Sequence, residues 1–300
     1  MNKELLETLK IHPTKVRYRG NAQILEEEEK KYVMKKISPA SRDIYHYLES
    51  RNFLHFPRSL FISSDNIEIS EYIPDAPVDA AQRVEDMIYL LTLLHNKTTF
   101  YKELDLDEIK KIYEEGMEEF QYLLKYYQSI EQMIQEEVYM SPANYYFILN
   151  ITRVYQILNQ GILSLEKWYQ LVQNKKTLRF VLNHNHLKKE HLREGENLCF
   201  ISWNKANFGF PQNDLLNLWQ NNYEYLSLSS LLDLYQSKYR LLEYEYYHFV
   251  AKICRLKRID FNKKEQEKMK EIIYFIKYME KVDDYLSKQD TNKTHNQAYQ

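Results

Sequence analysis

Glycine is scarce in this 300-residue chain, with five in all at Gly20, Gly116, Gly161, Gly195 and Gly209. No three lie close together. Neither a GxGxxG turn nor a Walker-type loop can therefore be written, since both wrap phosphate with backbone that only closely spaced glycines allow. Cysteine is rarer still. Cys199 and Cys254 fit no zinc-ligand spacing and allow at most one bridge, which excludes a disulfide framework and suits a reducing compartment. Long apolar runs are missing as well. None approaches the roughly 18 residues needed to cross a bilayer, and residues 1–10 lack the apolar core of a signal peptide. The expectation is a cytoplasmic protein with no membrane partner. Neither sign of charge dominates: 41 Lys plus Arg face 43 Asp plus Glu, so nucleic acid is not an expected partner. What is plentiful is hydrophobic sequence, 44% of residues, which is enough to bury a globular core. The 27 tyrosines accompany abundant Lys, Asn, Ile and Glu, and read as the residue bias of an AT-rich genome.

The hydropathy pattern changes along the chain. Residues 16–19, 23–25 and 32–37 read as short strands, and the glutamates at 26–29 as a solvated hairpin tip. Ser38-Pro39 leads into a helix over 41–50 with Ile44, Tyr47 and Leu48 on one face. Strands follow at 60–62 and 67–73, split by Ser63-Ser64-Asp65-Asn66. From Asp79 the period is helical. Asp79 is placed to cap a helix with Gln82 at its third position, and a longer apolar stripe runs from Ile109 to Ile130. Ser141-Pro142 breaks that stripe, and further helices are expected over 143–160 and 163–173. Strand-like runs at 178–182 and 198–201 flank a polar, histidine-rich loop, where function is expected. Helices resume after Pro211 to about 285, and 288–300 reads as a polar, disordered tail.

Two segments carry the chemistry: LNHNHLKKEHL at 182–192 and FISWNKANFGFPQNDLLNL at 200–218. Together they resemble the active-site pair of the aminoglycoside phosphotransferase and choline kinase superfamily, whose usual strings are H-G-D-x-H-x-x-N and then I-D-[FW]-[ED]. YRGNAQILEEEEKKYVMKKI, FPRSLF, ISEYIPDAP and LLTLLHNKT add to the likeness in the family's order. Over about residues 15–285 the chain is similar, more narrowly, to the spore-coat kinase-like proteins of that superfamily. The resemblance implies an α+β, two-lobed protein-kinase-like fold. A small β-rich N-lobe of five strands and one helix would span 1–74, and a larger, mainly helical C-lobe 75–287.

Phosphoryl transfer needs MgATP held in place and a carboxylate to orient the acceptor hydroxyl. At the matching positions the family's orienting aspartate is His186, its asparagine is His191, and its metal-binding aspartate is Ser202. Magnesium seeks hard oxygen ligands and commonly one or two carboxylates, and these three side chains supply none. Other matches are kept. By resemblance, His184 supports the loop, Asp214 ties it down, and Lys35 is the phosphate-contacting lysine with Asp43 as its helix partner. Glu71, Tyr72 and Ile73 match the hinge whose backbone meets adenine. Read without the resemblance, Lys35 is equally an exposed strand lysine beside Lys36.

The reading is a pseudokinase that keeps the fold for binding, either ATP without the usual magnesium site or coat and other assembly proteins. A spore-coat location beside the cytoplasmic one comes from the resemblance alone. Its competitor is an active ATP-dependent small-molecule kinase with a rearranged site, in which Asn204, Glu190 or Glu194 supplies oxygens and His186 accepts a proton. A zinc site of His184, His186 and His191 is a third reading, set against plain loop histidines. A fourth is nucleic-acid binding by Lys252, Arg255, Lys257 and Arg258 near Tyr246, Tyr247 and Phe261, set against a solvated helix surface. His95, Cys199 and Trp203 read as packing residues.

Overall fold

Residues 3–28, 30–75, 77–103 and 105–297 are described in the computed structural model of the chain. Its first part holds α1 (Lys3–Thr8), β1 (Lys15–Arg19), β2 (Ala22–Glu27), β3 (Lys30–Lys36), α2 (Pro39–Ser50), β4 (Ser59–Ile62), β5 (Ile67–Glu71) and α3 (Ala80–Thr98). There follow β6 (Phe100–Glu103), α4 (Leu106–Gln135), α5 (Pro142–Ile148), α6 (Ile151–Val172), β7 (Thr177–Asn183), β8 (Leu192–Glu194), β9 (Leu198–Phe200) and β10 (Asn207–Gly209). The chain closes with α7 (Pro211–Asn222), α8 (Leu228–Lys238), α9 (Glu243–Cys254) and α10 (Glu265–Gln297). This is an α+β chain with a β-sheet N-terminal region and a helical C-terminal region. Two compact units emerge, Met1–Thr99 with Val181–Gly209, and Phe100–Phe180 with Phe210–Gln300. These units do not meet at residue 74: α3 contacts residues 189–191 and β9, and the Glu194 and Phe200 amides donate to the Pro74 and His55 carbonyls.

In the first unit the sheet order is β1-β2-β3-β5-β4, antiparallel throughout. Leu25, Met34 and Ile69 point to one face and are buried together with Leu6 and Ile11, which α1 and the residues after it bring in. A six-residue helix is too short to show a period, so the sequence pattern misses α1. The glutamate run is not simply a hairpin tip: Glu26 and Glu27 lie in β2 opposite Lys31 and Lys30, which complement their charge. Glu28 takes the turn at φ 46°, and Glu29 lies outside the described residues. Helix α2 starts earlier than expected, with Pro39 in its first turn and the Ser38 hydroxyl accepting from the Ser41 amide at 3.2 Å. Strand β5 ends at Glu71, short of Ile73; the Tyr72 amide still donates to the Lys31 carbonyl at 2.9 Å, and Pro74 has no amide to extend the pairing. Asp79 caps α3 through the Ala81 and Gln82 amides, both at 2.9 Å, while the Gln82 side chain reaches forward to Asp86.

The second unit corrects two helix boundaries. Residues 143–173 do not divide near Gly161; the break falls at 149–150, between α5 and α6. Gly161 is instead a contact point. A Cβ there would sit 2.5 Å from the Phe120 ring on α4 and 2.9 Å from the Cys254 Cβ on α9. Gly161→Ala is therefore expected to lower the urea midpoint, since overpacking costs about 1–3 kcal/mol against a helix-propensity gain of about 1 kcal/mol. A raised midpoint would contradict this packing. At the other end α10 runs to Gln297, through the stretch read as a polar tail, with no Gly or Pro after Pro211 to stop it and with Lys288 pairing Asp284 at 2.8 Å. Residues 298–300 lie outside the described residues.

Among the described residues no helix is long and apolar enough to cross a membrane. Cys199 and Trp203 are buried, as their surroundings suggested.

Candidate functional site

Antiparallel pairing of β3 with β5 sets Lys35 directly opposite Glu68. Lys35 Nζ lies 3.0 Å from a Glu68 carboxylate oxygen and donates to the Tyr45 hydroxyl at 3.3 Å. The Ser59 hydroxyl donates to the other Glu68 oxygen. Burial by itself would lower the Lys35 pKa, but Tyr45 and Glu68 outweigh it and raise the value above the ordinary 10.5. The assignment of Asp43 as partner is thereby overturned. Asp43 is exposed, while Tyr45, two positions on and roughly 200° around the helix, is buried, faces Lys35 and stacks on Phe56 at 5.3 Å. Lys35 is half-buried and paired with the buried Glu68, so the exposed-lysine reading falls too.

The histidines separate by role. His184 is fully buried, with Nε2 donating to the Ile201 carbonyl at 2.9 Å and Nδ1 accepting from the His186 amide at 3.3 Å. Both ring nitrogens are engaged, so the side chain braces the loop, with Trp203 edge-on at 4.6 Å. His186 and His191 have ring centroids 4.2 Å apart. His191 Nδ1 donates to the His186 carbonyl at 2.6 Å. Burial, then His191, Lys205 and Lys188, lower the His186 pKa to about 4. The lowered value leaves it an uncharged ring and a weak base at neutral pH. Burial also pushes His191 below the ordinary imidazole value, against the hydrogen bond to the His186 carbonyl.

The three histidines do not form a metal site. Among the described residues no three His, Cys, Asp or Glu side chains are placed to hold a metal ion. Ser202 has φ 69° and Asn185 φ 56°, a left-handed backbone that costs most side chains roughly 1–2 kcal/mol. The segment thus holds a demanding backbone shape, with no carboxylate at 186, 191 or 202 and with glutamates at 190, 194 and 196.

Within the same unit a cavity of about 310 Å³ is lined by Lys35, Glu71, Tyr72, Ile73, His191 and Ser202. Seven of the residues singled out in sequence meet there, since Glu190, named as an oxygen donor for the active-kinase alternative, lines it too, whereas Glu194 and Asn204 do not. His184, His186 and Asp43 do not line it, and Asp214 is buried in α7 of the second unit. Among the lining residues not anticipated are Arg19 and Gly20 at the β1–β2 turn, and Arg193 on β8. Gly20 has φ 57°, and the Arg-Gly pair between two strand patterns is the signal that marks this turn. Arg193 is compensated by Asp75 at 3.2 Å, which also meets Arg83 at 2.7 Å.

The chain matches at 94% of its length, with a TM-score of 0.69 and 12% identity, an aminoglycoside phosphotransferase from Alicyclobacillus acidocaldarius, 93% of which is covered. It has the aminoglycoside phosphotransferase fold. Two further structures share that fold. A choline kinase from Streptococcus pneumoniae matches with a TM-score of 0.50 at 15% identity over 99% of this chain and 98% of that one. A spectinomycin phosphotransferase in complex with AMP matches with a TM-score of 0.52 at 12% identity over 93% and 97%. No family model matches the sequence, and no curated protein matches it.

Within this phosphotransferase fold the donors at 186, 191 and 202 decide what the site suits. At those three positions two uncharged imidazoles and a hydroxyl do not fit magnesium, which takes hard oxygens and favours carboxylates; the carboxylates lining the cavity are Glu71 and Glu190, and they belong to no group of three metal-ligating side chains among the described residues. The cavity does fit a small organic ligand: its volume is at the low end of about 300–1,000 Å³, and it combines apolar walls (Ile24, Val33, Ile73) with a few polar groups.

Proposed function

We propose that this protein is a pseudokinase: it binds an adenine nucleotide in the cavity beside Lys35 and does not carry out magnesium-dependent phosphoryl transfer. The observation that carries the reading is the absence of any carboxylate at His186, His191 and Ser202, in a loop whose brace, His184, keeps both of its hydrogen bonds. Preorganised charges of this kind each contribute about 10²–10³ in rate. The nucleotide side of the reading is supported by the AMP seen with the spectinomycin phosphotransferase of the same fold, and by Lys35, Glu71, Tyr72 and Ile73 lining one cavity. The partner class the resemblance implies is an assembly protein such as those of a spore coat. Co-sedimentation with isolated coat, or its lack, tests that clause.

Purified protein with MgATP and kanamycin, spectinomycin, choline or ethanolamine is expected to turn over at least about 10³-fold below the roughly 1–100 s⁻¹ of ordinary kinases. AMP and ATP are expected to raise the melting temperature equally with magnesium and with EDTA, since a ligand of the folded state stabilises it by mass action. Transfer at ordinary rates would restore the active-kinase alternative. No shift with either nucleotide would remove the nucleotide from the reading.

A further inference from the structure

The basic stretch after α9 has a setting of its own. In the second unit, a cavity of about 930 Å³ contains none of the residues of the candidate site. One wall is the segment joining α9 to α10, which places Arg255, Lys257, Arg258 and Lys263 beside it. Tyrosines hold that segment from below. The Tyr126 hydroxyl donates to the Ile259 carbonyl, Tyr127 to the Lys257 carbonyl, and Tyr278 to the Ile253 carbonyl at 3.0 Å. A main chain fixed at two carbonyls, and at a third in the last turn of α9, presents its cations without the ordering cost of a free loop.

The floor is apolar and aromatic, with Leu123, Leu256, Ile259, Tyr274 and Phe275. Charge is unevenly matched around it. Arg255 has Glu119 at 2.8 Å, and Glu271 alone serves both Lys257 at 2.9 Å and Lys263 at 2.7 Å. Arg258 meets no carboxylate among the described residues: it donates to the Tyr122 hydroxyl at 2.8 Å and lies 4.7 Å from the Tyr126 ring centroid. Five lining cations, counting Lys270, face three lining acids, Glu119, Glu267 and Glu271. A neutral apolar ligand would leave that surplus unanswered, whereas a polyanion such as nucleic acid has too little basic surface beyond the cavity in a chain of formal charge −2.

We propose that this cavity is a second ligand site, for an organic anion that sets an apolar ring system on the aromatic floor and a carboxylate or phosphate on Arg258. The planar guanidinium suits both groups by paired hydrogen bonds.

The test uses the full chain and the fluorescent probe 8-anilinonaphthalene-1-sulfonate. Saturable binding near one probe per chain is expected, weakening about tenfold in Arg258→Gln and in Lys270→Gln with unchanged melting temperature, since both side chains are exposed. A control substitution at the exposed Val138, Val138→Ser, leaves binding unchanged. Displacement by 1-naphthoate and 1-naphthyl phosphate separates the two anion sources, and neutral 1-naphthalenemethanol is expected to displace at least tenfold less well. Equal displacement by the neutral compound, or full binding by both charge variants, would overturn the site.

Discussion

Lys35→Met is expected to unfold with about 3–5 kcal/mol less free energy than the wild type at pH 7, the typical cost of removing one member of a buried ion pair. The reason is Glu68. Its side chain is 1% exposed, and without Lys35 its charge keeps only the Ser59 hydroxyl. Urea unfolding at pH 7 measures the loss, and the double variant Lys35→Met/Glu68→Gln is expected to recover most of it, because no buried charge is left uncompensated. The pH dependence follows from the raised Lys35 value. A group whose pKa is higher in the folded state contributes fully below its unfolded value, here 10.5, and the contribution is lost as pH rises through the folded value. Wild-type stability is thus expected to fall above about pH 10.5, with Tyr45, also raised chiefly by burial, acting in the same direction. The Lys35→Met variant lacks the lysine part of that fall. A variant within 1 kcal/mol of wild type at pH 7 would show that the pair does not hold the sheet. Nucleotide assays on Lys35 variants need a temperature at which the variant is folded, or lost stability will be read as lost binding.

The second large effect is expected from Glu245→Ala, at about 3–5 kcal/mol. Arg179 binds Glu245 through two of its nitrogens, one contact being Nε to Oε1 at 2.8 Å, and the side chains are 11% and 0% exposed. The same carboxylate accepts the Leu242 amide at 2.8 Å and so caps the start of α9, a contact of about 1 kcal/mol. Arg179 also donates to the Arg240 carbonyl at 2.9 Å and lies 4.4 Å from the Tyr239 ring centroid, so the guanidinium stays in place when its partner goes. A guanidinium cannot shed its charge at any pH in the working range. The Glu245→Ala loss is therefore expected to persist from pH 5 to 9, and Glu245→Gln, which can still cap α9, to cost less. Denaturant curves across that range check both, and recovery at one end would point to a different titrating group.

Much of the first unit was legible because its strands alternate and are separated by turn-forming residues. The missed strands β6, β8 and β10 have four, three and three residues, too few to display a period of two. The helix break was expected between 160 and 163, and only the approach of Phe120 and Cys254 shows Gly161 as a packing requirement inside one helix. Asp43 was the nearest acid by resemblance, yet helical geometry turned Tyr45 inward in its place. Glu68 escaped notice because a strand acid without its register has no partner to suggest. Arg193 was missed for a similar reason, since its role depends on Asp75, more than a hundred positions away in sequence.

Which side chains stand at 186, 191 and 202, and hence that no carboxylate is offered there, is a matter of covalent chemistry that folding cannot alter. The scarcity of glycine, which rules out phosphate-wrapping loops, is of the same kind. What waited on tertiary structure was everything set by distance: that Lys35 answers Glu68, that burial holds His186 uncharged, and that a basic loop overhangs an aromatic floor. Those depend on strand register, desolvation and the meeting of distant segments, none of which leaves a local trace in the order of residues.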